Sequence, residues 1–363
     1  MLRHVLFFLC CALFLGACSS QISDGVVKKY ENGLNAEFKK TLLQIVDNKN
    51  VRVEADDFVC RADGKFVICE NFTFALLEKN PRDGAKLEEI VRSQGFVLRS
   101  NQLYLGDREG NVSLKDAVDN MFENNEKIQV SIRMKSFKIG EKLTREIKAA
   151  QRFFVKDVKI AELVQEWVKD SYDLELNYDV AQNEKNYDWT MNFTFGNAKD
   201  NHIKISKRAS VSKDLWAIAG DELLFDTAVQ NVSEQGLKKF VEDDDERALK
   251  ILQLIKPQNL QIDTSLQTND VFKPYLTMAK GYLQTLKNRQ EIDEKRIVLF
   301  DKVANLMDKM DKSSIYRSNL ELLFKDDFSV ADFSGVAPEN PIKKIILNGE
   351  DFSEILQMSS ELW

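Results

Sequence analysis

The feature of this sequence that most constrains its fold is a strict alternation of apolar and polar residues in several stretches. In NYDWTMNFTF, residues 186–195, the apolar positions are Tyr187, Trp189, Met191, Phe193 and Phe195. Because successive side chains of a β-strand point to opposite faces, these residues share one face and polar residues occupy the other. Sheets with one apolar and one polar face are usually antiparallel.

The same period recurs elsewhere, and helical spacing separates the strands. KIQVSIRM at residues 127–134 alternates strictly, as do the apolar residues within 174–180. Apolar residues recur at helical spacing at 27–45, at 141–170 and over most of the chain after Pro257. We therefore predict an α+β protein with a large, curved antiparallel sheet and flanking helices.

Two short sequence segments each occur twice, which indicates a repeat. NFTF stands at residues 71–74 and 192–195, and NVS stands at 111–113 and 231–233, with nearly the same separation. Between them, GFVLRSNQLYL from Gly95 aligns with LWAIAGDELLF from Leu215. The shared register favours two copies of one β-rich unit, and a coincidence of short words is the alternative.

The first residues have the pattern of a lipoprotein export signal. Arg3 supplies positive charge, and the apolar run at 5–15 is too short to span a bilayer comfortably. LGAC at residues 15–18 resembles a bacterial lipobox, whose cysteine is acylated and becomes the mature N-terminus; an ordinary secretory signal is the alternative. Since Ser19 stands where an aspartate commonly retains lipoproteins at the inner membrane, we expect Cys18 to anchor the protein in the outer membrane.

These patterns divide the 363-residue chain into six parts. The parts are a signal peptide (1–17), a lipid anchor, tether and N-terminal helix (18–49), a first β-rich repeat (50–150), a helical connector (151–170), a second β-rich repeat (171–265) and a mainly helical C-terminal region (266–363).

Two cysteines remain after the signal and the lipidation site. Cys60 and Cys69 flank RADGKFVI, whose Asp63-Gly64 pair is typical of a hairpin turn. An even number of cysteines in an oxidising compartment favours a disulfide between the two strands, and two reduced thiols are the alternative. No histidine or further cysteine lies nearby in the sequence, so we do not expect a metal site there.

The sequence offers little for catalysis or nucleic-acid binding. His202 is the only histidine after the signal, and no nucleophile-elbow, phosphate-loop or zinc-protease motif occurs. Carboxylates are plentiful, but no spacing singles out an acid–base pair, and the acidic run Glu242–Glu246 fits a helix start better than a calcium loop. The net charge of −7 is spread among interspersed lysines and acids. We predict a protein with no catalytic residues, cofactor or metal, and no nucleic-acid partner.

One surface motif suggests modification. EGNVS at residues 109–113 resembles the acid-x-Asn-x-Ser acceptor sequence of bacterial N-glycosylation, whereas Asn71, Asn192 and Asn231 have no acid two residues earlier. Asn111 stands in a polar stretch before a helix, for which Ser113 is a suitable N-cap. Asn111 is therefore the candidate glycosylation site, and a chance sequence is the alternative.

The aromatic face at 187–195 has two interpretations. It is either the core face of a sheet covered by helices, which is the plainer interpretation, or an open floor that binds an apolar ligand. The 23 phenylalanines favour a sheet too large for its helices to cover completely. We therefore expect a mixture, and the candidate ligand-binding residues are Tyr187, Trp189, Met191, Phe193 and Phe195.

Together, the lipobox at Leu15–Cys18, the chain length, the alternating aromatic strands and the sequon at Asn111 resemble the jejuni lipoprotein A family, the surface lipoprotein adhesins of Campylobacter. The resemblance implies a strongly curved antiparallel sheet, an unclosed half-barrel with flanking helices and an apolar basin on the concave side. It also implies attachment to host epithelial cells without catalysis.

The expected function is that of a lipid-anchored outer-membrane adhesin at the cell surface. Its expected partner is a host cell-surface protein bound through the apolar concave face, with a hydrophobic ligand as a further possibility. Two other classes fit the same features. One is a periplasm-facing carrier of lipids or lipoproteins whose pocket uses the same side chains, and the other is a scaffold subunit of an envelope complex.

Overall fold

The computed structural model describes most of the chain, with gaps. The described residues are 22–45, 50–79, 86–101, 114–122, 125–154, 157–219, 245–268, 271–288, 294–312, 314–334 and 340–359. Cys18 and Asn111 lie outside these ranges, as does most of the acidic run at 242–246.

Fourteen strands in the described part of the chain form one antiparallel sheet, which is not closed. They are β1 (Val51–Ala55), β2 (Val59–Asp63), β3 (Phe66–Glu70), β4 (Phe74–Lys79), β5 (Leu87–Ser93), β6 (Phe96–Ser100), β7 (Lys127–Ile139), β8 (Ser171–Gln182), β9 (Asn186–Gly196), β10 (His202–Ser212), β11 (Ile255–Gln267), β12 (Ile315–Phe324), β13 (Ile342–Leu347) and β14 (Glu350–Asp351). Their spatial order is β1-β4-β5-β7-β8-β9-β10-β11-β12-β13-β14, and a second branch, β2-β3-β6, joins at β7.

Helices flank this sheet. Within the described ranges they are α1 (Asp24–Ile45), α2 (Leu114–Phe122), α3 (Glu141–Phe154), α4 (Val158–Lys169), α5 (Leu215–Ala219), α6 (Asp245–Gln253), α7 (Lys273–Lys287), α8 (Glu294–Asp311), α9 (Glu354–Ser359) and a 3-10 helix at Val330–Ser334. The predicted fold class, α+β with a large open antiparallel sheet, is confirmed.

The sheet forks at an irregularity in β7. The first part of β7 pairs with β6 as far as Met134, and its last residues pair with β5 at Lys138 and Ile139. Between them, Ser136 adopts a left-handed backbone conformation with φ 48°. The Asp173 carboxylate of β8 accepts a hydrogen bond from the Ser136 backbone N–H at 2.8 Å and pairs with Arg133. This carboxylate thus holds the bulge that sends β7 from one branch to the other.

A buried asparagine fixes the other side of the fork. Asn71, between β3 and β4, is fully buried; its Oδ1 accepts from the Phe96 N–H at 2.6 Å and its Nδ2 donates to the Asp56 carbonyl. Gly95 has φ +89°, and a Cβ there would stand 2.1 Å from the Asn71 carbonyl oxygen. Only glycine fits this close approach, since it tolerates the left-handed conformation and has no side chain.

Two separate apolar cores pack on the sheet. The larger core joins α1 and α2 to β3, β6, β7 and the start of β9. The smaller one joins Leu299 and Leu306 of α8 to Phe352, with Ile345 and Leu347 of β13 packed against it. The sheet is therefore covered near both of its ends by different helices.

The structure differs from the sequence interpretation in two details. The segments aligned as repeat equivalents differ in structure, because Phe96–Ser100 is strand β6 whereas Leu215–Ala219 is helix α5. After Pro257, the described residues hold the helices α7, α8 and α9, in keeping with the mostly helical pattern, but also most of β11 and all of β12, β13 and β14, which we did not predict. The periodicity of a short apolar run does not show whether it forms a buried helix or a strand. Here these runs form strands of the large sheet.

Candidate functional site

The aromatic strand β9 lies in the middle of a mainly apolar face, which Thr264 and Ser318 interrupt beside Ile203. Directly opposed residues of an antiparallel pair place their side chains on the same face of the sheet, so the registers of β8 to β12 define it. We name this surface the central apolar face; its residues are Leu174, Leu176, Tyr178, Trp189, Met191, Phe193, Phe195, Ile203, Ile205, Lys207, Leu260, Ile262, Leu320 and Leu322.

Most of the central apolar face is only partly covered. Leu176 is buried, Ile203 is 36% exposed, and the other side chains of the face are half-buried. Large apolar side chains in the middle of a sheet are normally buried completely by a covering layer. The covering helices therefore leave this face partly exposed.

The face lies between the two cores. On one side, Met134 of β7 and Val180 of β8 pack against the larger core. On the other side, Ile345 and Leu347 of β13 pack against the smaller core. The central apolar face is therefore a strip between two covered ends of one sheet.

Tyr187 differs from the other residues of its strand because it belongs to the larger core. It is buried, its ring stacks on Phe122 at 5.7 Å, and its hydroxyl accepts a hydrogen bond from Trp216 Nε1 at 3.0 Å. Burial raises the pKa of this phenol, although the Trp216 bond opposes the shift. Tyr187 therefore closes the end of the face and does not form part of its open floor.

Aromatic contacts hold the partly exposed side chains of the central apolar face, its floor, in place. Trp189 lies against Tyr178 with ring centroids 6.3 Å apart, and Phe195 stacks on Tyr172 at 4.7 Å. Tyr172 is buried and donates its hydroxyl to the Trp167 carbonyl at 2.8 Å. Burial, with the nearby Asp170 carboxylate, raises the pKa of Tyr172 to about 12, so the phenol stays neutral at physiological pH. The floor is accordingly pre-formed.

The opposite face of the same strands is polar. On β9 the alternate residues are Asp188, Thr190, Asn192 and Thr194, and on β10 they include Lys204, Ser206 and Arg208. His202 also lies on this side, with Nε2 3.2 Å from Asp263 Oδ1. The pattern of one polar and one apolar face follows directly from the alternation in the sequence.

Lys207 is the only charged side chain of the central apolar face. It lies between Met191 of β9 and Leu260 of β11, and its Nζ stands 5.3 Å from the centroid of the Trp189 ring. Within the described ranges Lys207 pairs with no carboxylate. Our sequence interpretation did not single out this lysine, although HIKISKRASVS alternates in phase and places Lys207 at an apolar position.

The two cysteines face each other in the β2–β3 hairpin. Their sulfur atoms are bonded and their Cα atoms are 4.0 Å apart. Cys69 is fully buried in the larger core, and the Cys60 backbone N–H donates to the Glu31 carboxylate of α1 at 2.8 Å. The bonded hairpin therefore supports the larger core rather than the central apolar face.

The described residues offer neither a metal site nor a membrane-spanning helix. They contain no group of three or more histidine, cysteine, aspartate or glutamate side chains arranged to hold a metal ion. None of their helices combines the length and the apolar character needed to cross a membrane.

The chain matches a known protein family. A family model described as "JLPA: Adhesin from Campylobacter" matches residues 20–361, which is nearly the whole chain. No curated protein matches the chain.

Proposed function

The chain belongs to this family of adhesins from Campylobacter, and from that premise we propose that it attaches the bacterium to host epithelial cells through the central apolar face. The observation that carries the proposal is a row of half-buried apolar side chains in the middle of a sheet whose two ends are covered. A contiguous, partly exposed apolar surface is typical of a binding site.

A pre-formed apolar floor suits recognition of a partner surface. Completing the burial of a large apolar side chain contributes about 1–2 kcal/mol, because its apolar area leaves water. The stacked and tilted aromatic pairs around Trp189 and Phe195 are already ordered, so little side-chain entropy is lost on binding.

The proposal includes the location and modifications expected from the sequence. Family membership supports a position at the cell surface. Acylation of Cys18 would hold the chain in the outer membrane, a glycan on Asn111 would extend from it, and a host cell-surface protein would be the partner. Catalysis has no part in this function.

Binding of the purified protein to epithelial cells tests the role of the face. We expect Ile203→Asn to weaken cell binding at least tenfold, since it places an amide on the floor. Lys204→Asn, on the adjacent position of the polar face, is the matched control and should bind as the unmodified protein does. Both variants must keep the unmodified melting temperature. Equal binding by all three proteins would refute the role of the face.

Protease treatment of intact cells tests the orientation. We expect cleavage of this protein while a periplasmic marker survives. Protection until the outer membrane is opened would refute the adhesin proposal and favour the periplasm-facing carrier.

A further inference from the structure

The most unusual group on the central apolar face is the ammonium of Lys207. Lys207 lies half-buried between Met191 and Leu260. Its Nζ stands 5.3 Å from the centroid of the Trp189 ring, and no carboxylate in the described part of the chain pairs with it. Because a cation–π contact is weaker than a charge-assisted hydrogen bond, an anionic group would bind this ammonium more strongly than the ring does. A ligand with an anionic group at this position would supply the missing partner.

The backbone around Lys207 limits the kind of ligand. Each strand from β8 to β12 is paired on both sides, so its N–H and C=O groups are already used in the sheet ladders. A peptide laid on this floor would have to desolvate its own backbone groups without finding partners for them. An acyl chain carries no such groups and needs only apolar contact.

The floor also has the extent that an acyl chain requires. From Lys207 to Ile203 along β10 the apolar positions cover about 14 Å, at roughly 3.4 Å per residue. Neighbouring strands about 4.8 Å apart continue the floor toward Phe195 and Ile262. The space suits the larger part of a long acyl chain running from Lys207 toward the Ile203 end.

We propose that the central apolar face binds a long-chain fatty acid, with its carboxylate on the Lys207 ammonium and its chain along the floor toward Ile203 and Phe195. This inference depends on the proposed function only in taking the face to be open to a ligand. It adds a ligand class and a residue that selects it.

Equilibrium binding of radiolabelled palmitic acid tests the inference. The protein is the full chain carrying Cys18→Ser, so that no acyl group at that position competes. We expect saturable binding that weakens about tenfold or more in Lys207→Gln and is kept in Lys207→Arg, because arginine keeps the charge. Lys204→Gln, on the polar face, is the matched control and should bind palmitate normally.

Hexadecanol distinguishes the contribution of the carboxylate to binding from that of the acyl chain. It has the same chain length as palmitate but no carboxylate, so we expect its binding to be the same in the unmodified chain and in Lys207→Gln. Equal palmitate binding by these two proteins would overturn the inference, as would a failure of the unmodified chain to bind palmitate. Binding of an acidic apolar peptide in place of palmitate would also overturn it.

Cell attachment measured on the same variants distinguishes this inference from the proposed function. If Ile203→Asn abolishes palmitate binding but leaves attachment unchanged, the fatty-acid site stands and the role of the face in adhesion fails. If Ile203→Asn abolishes attachment and no chain binds palmitate, adhesion through the face stands and the fatty-acid site fails.

Discussion

At the scale of single residues, the Asp173 carboxylate determines where the sheet divides. It holds the left-handed Ser136 and pairs with Arg133, so one side chain of β8 organises the bulge of β7. Partial burial opposes ionisation of Asp173, but the hydrogen bonds from the Ser136 N–H and Arg133 outweigh it. The pKa of Asp173 is consequently below its usual value of 3.8.

We expect Asp173→Asn to lower the free energy of unfolding by about 1 kcal/mol at neutral pH. Hydrogen bonds to charged groups contribute about 1.5–3 kcal/mol, and solvent reduces this for a half-exposed carboxylate. Because the folded-state pKa is the lower one, the contribution is present above pH 3.8 and is lost as the pH falls through the folded-state value.

Urea unfolding at several pH values measures this contribution. The difference between the unmodified protein and Asp173→Asn should be constant from pH 7 to pH 5 and should shrink below about pH 4. Glu162→Gln, at an exposed carboxylate of α4, serves as the control and should change stability little at either end. A difference independent of pH down to pH 2 would show that charge on Asp173 does not stabilise the bulge.

The contacts of Asp173 and Lys207 could not be predicted from the sequence. The face on which each lies follows from alternation, which is a local pattern. Their partners come from strand register: Asp173 meets a bulge far earlier in the chain, and Lys207 meets Trp189 across a strand pair. Register depends on long-range pairing that a single sequence does not specify.

At the scale of elements, α1 covers the β2-β3-β6 branch of the sheet. Phe38 is buried between Phe58 at 5.0 Å and Phe96 at 6.1 Å, both in edge-to-face geometry. The Asn35 side chain accepts from the Phe58 N–H at 2.7 Å and donates to its carbonyl at 3.0 Å. The helix thus combines apolar packing with hydrogen bonds to the chain just before β2.

We expect Phe38→Ala to lower the free energy of unfolding by about 3–4 kcal/mol, because it removes a buried ring and leaves a cavity among aromatic neighbours. Lys29→Ala, on the exposed side of the same helix, should change it by less than about 0.5 kcal/mol. Thermal and urea unfolding compare the variants. A small effect of Phe38→Ala would mean that α1 rests on the sheet without stabilising it.

Elements with strong periodicity were the predictable ones. Strands β7, β8 and β9 follow the alternating runs in the sequence, and α1 follows the helical spacing at 27–45. Strands β12 and β13 were missed because their Leu- and Ile-rich runs lie on a sheet with partly buried sides and carry no clean alternation. The composition did favour a sheet too large for its helices to cover completely. Which part of the sheet stays open depends on where the helices pack.

At the scale of the whole molecule, two cores of unequal size stabilise the ends of one continuous sheet. The larger core unites α1, α2 and the strands around β7, whereas the smaller rests on Leu299, Leu306 and Phe352. Within the described ranges, no complete covering layer lies on the central apolar face between them. Cooperative unfolding across this strip then depends on the backbone ladders of β8 to β12, since few buried side chains among the described residues connect the two ends.

We therefore expect the two ends to open independently, with the β13 end opening at the lower free energy because it buries fewer apolar side chains. Leu306→Ala removes a buried side chain from the smaller core, at a local cost of about 2–3 kcal/mol. Hydrogen–deuterium exchange read by mass spectrometry should then speed up in β12 and β13 while β3, β6 and β7 keep their protection. Equal acceleration in both sets of strands would show that the sheet opens as one unit. In that case the loss of stability in the smaller core would also destabilise the larger core through the central strands. A ligand on the central apolar face would then stabilise both cores together.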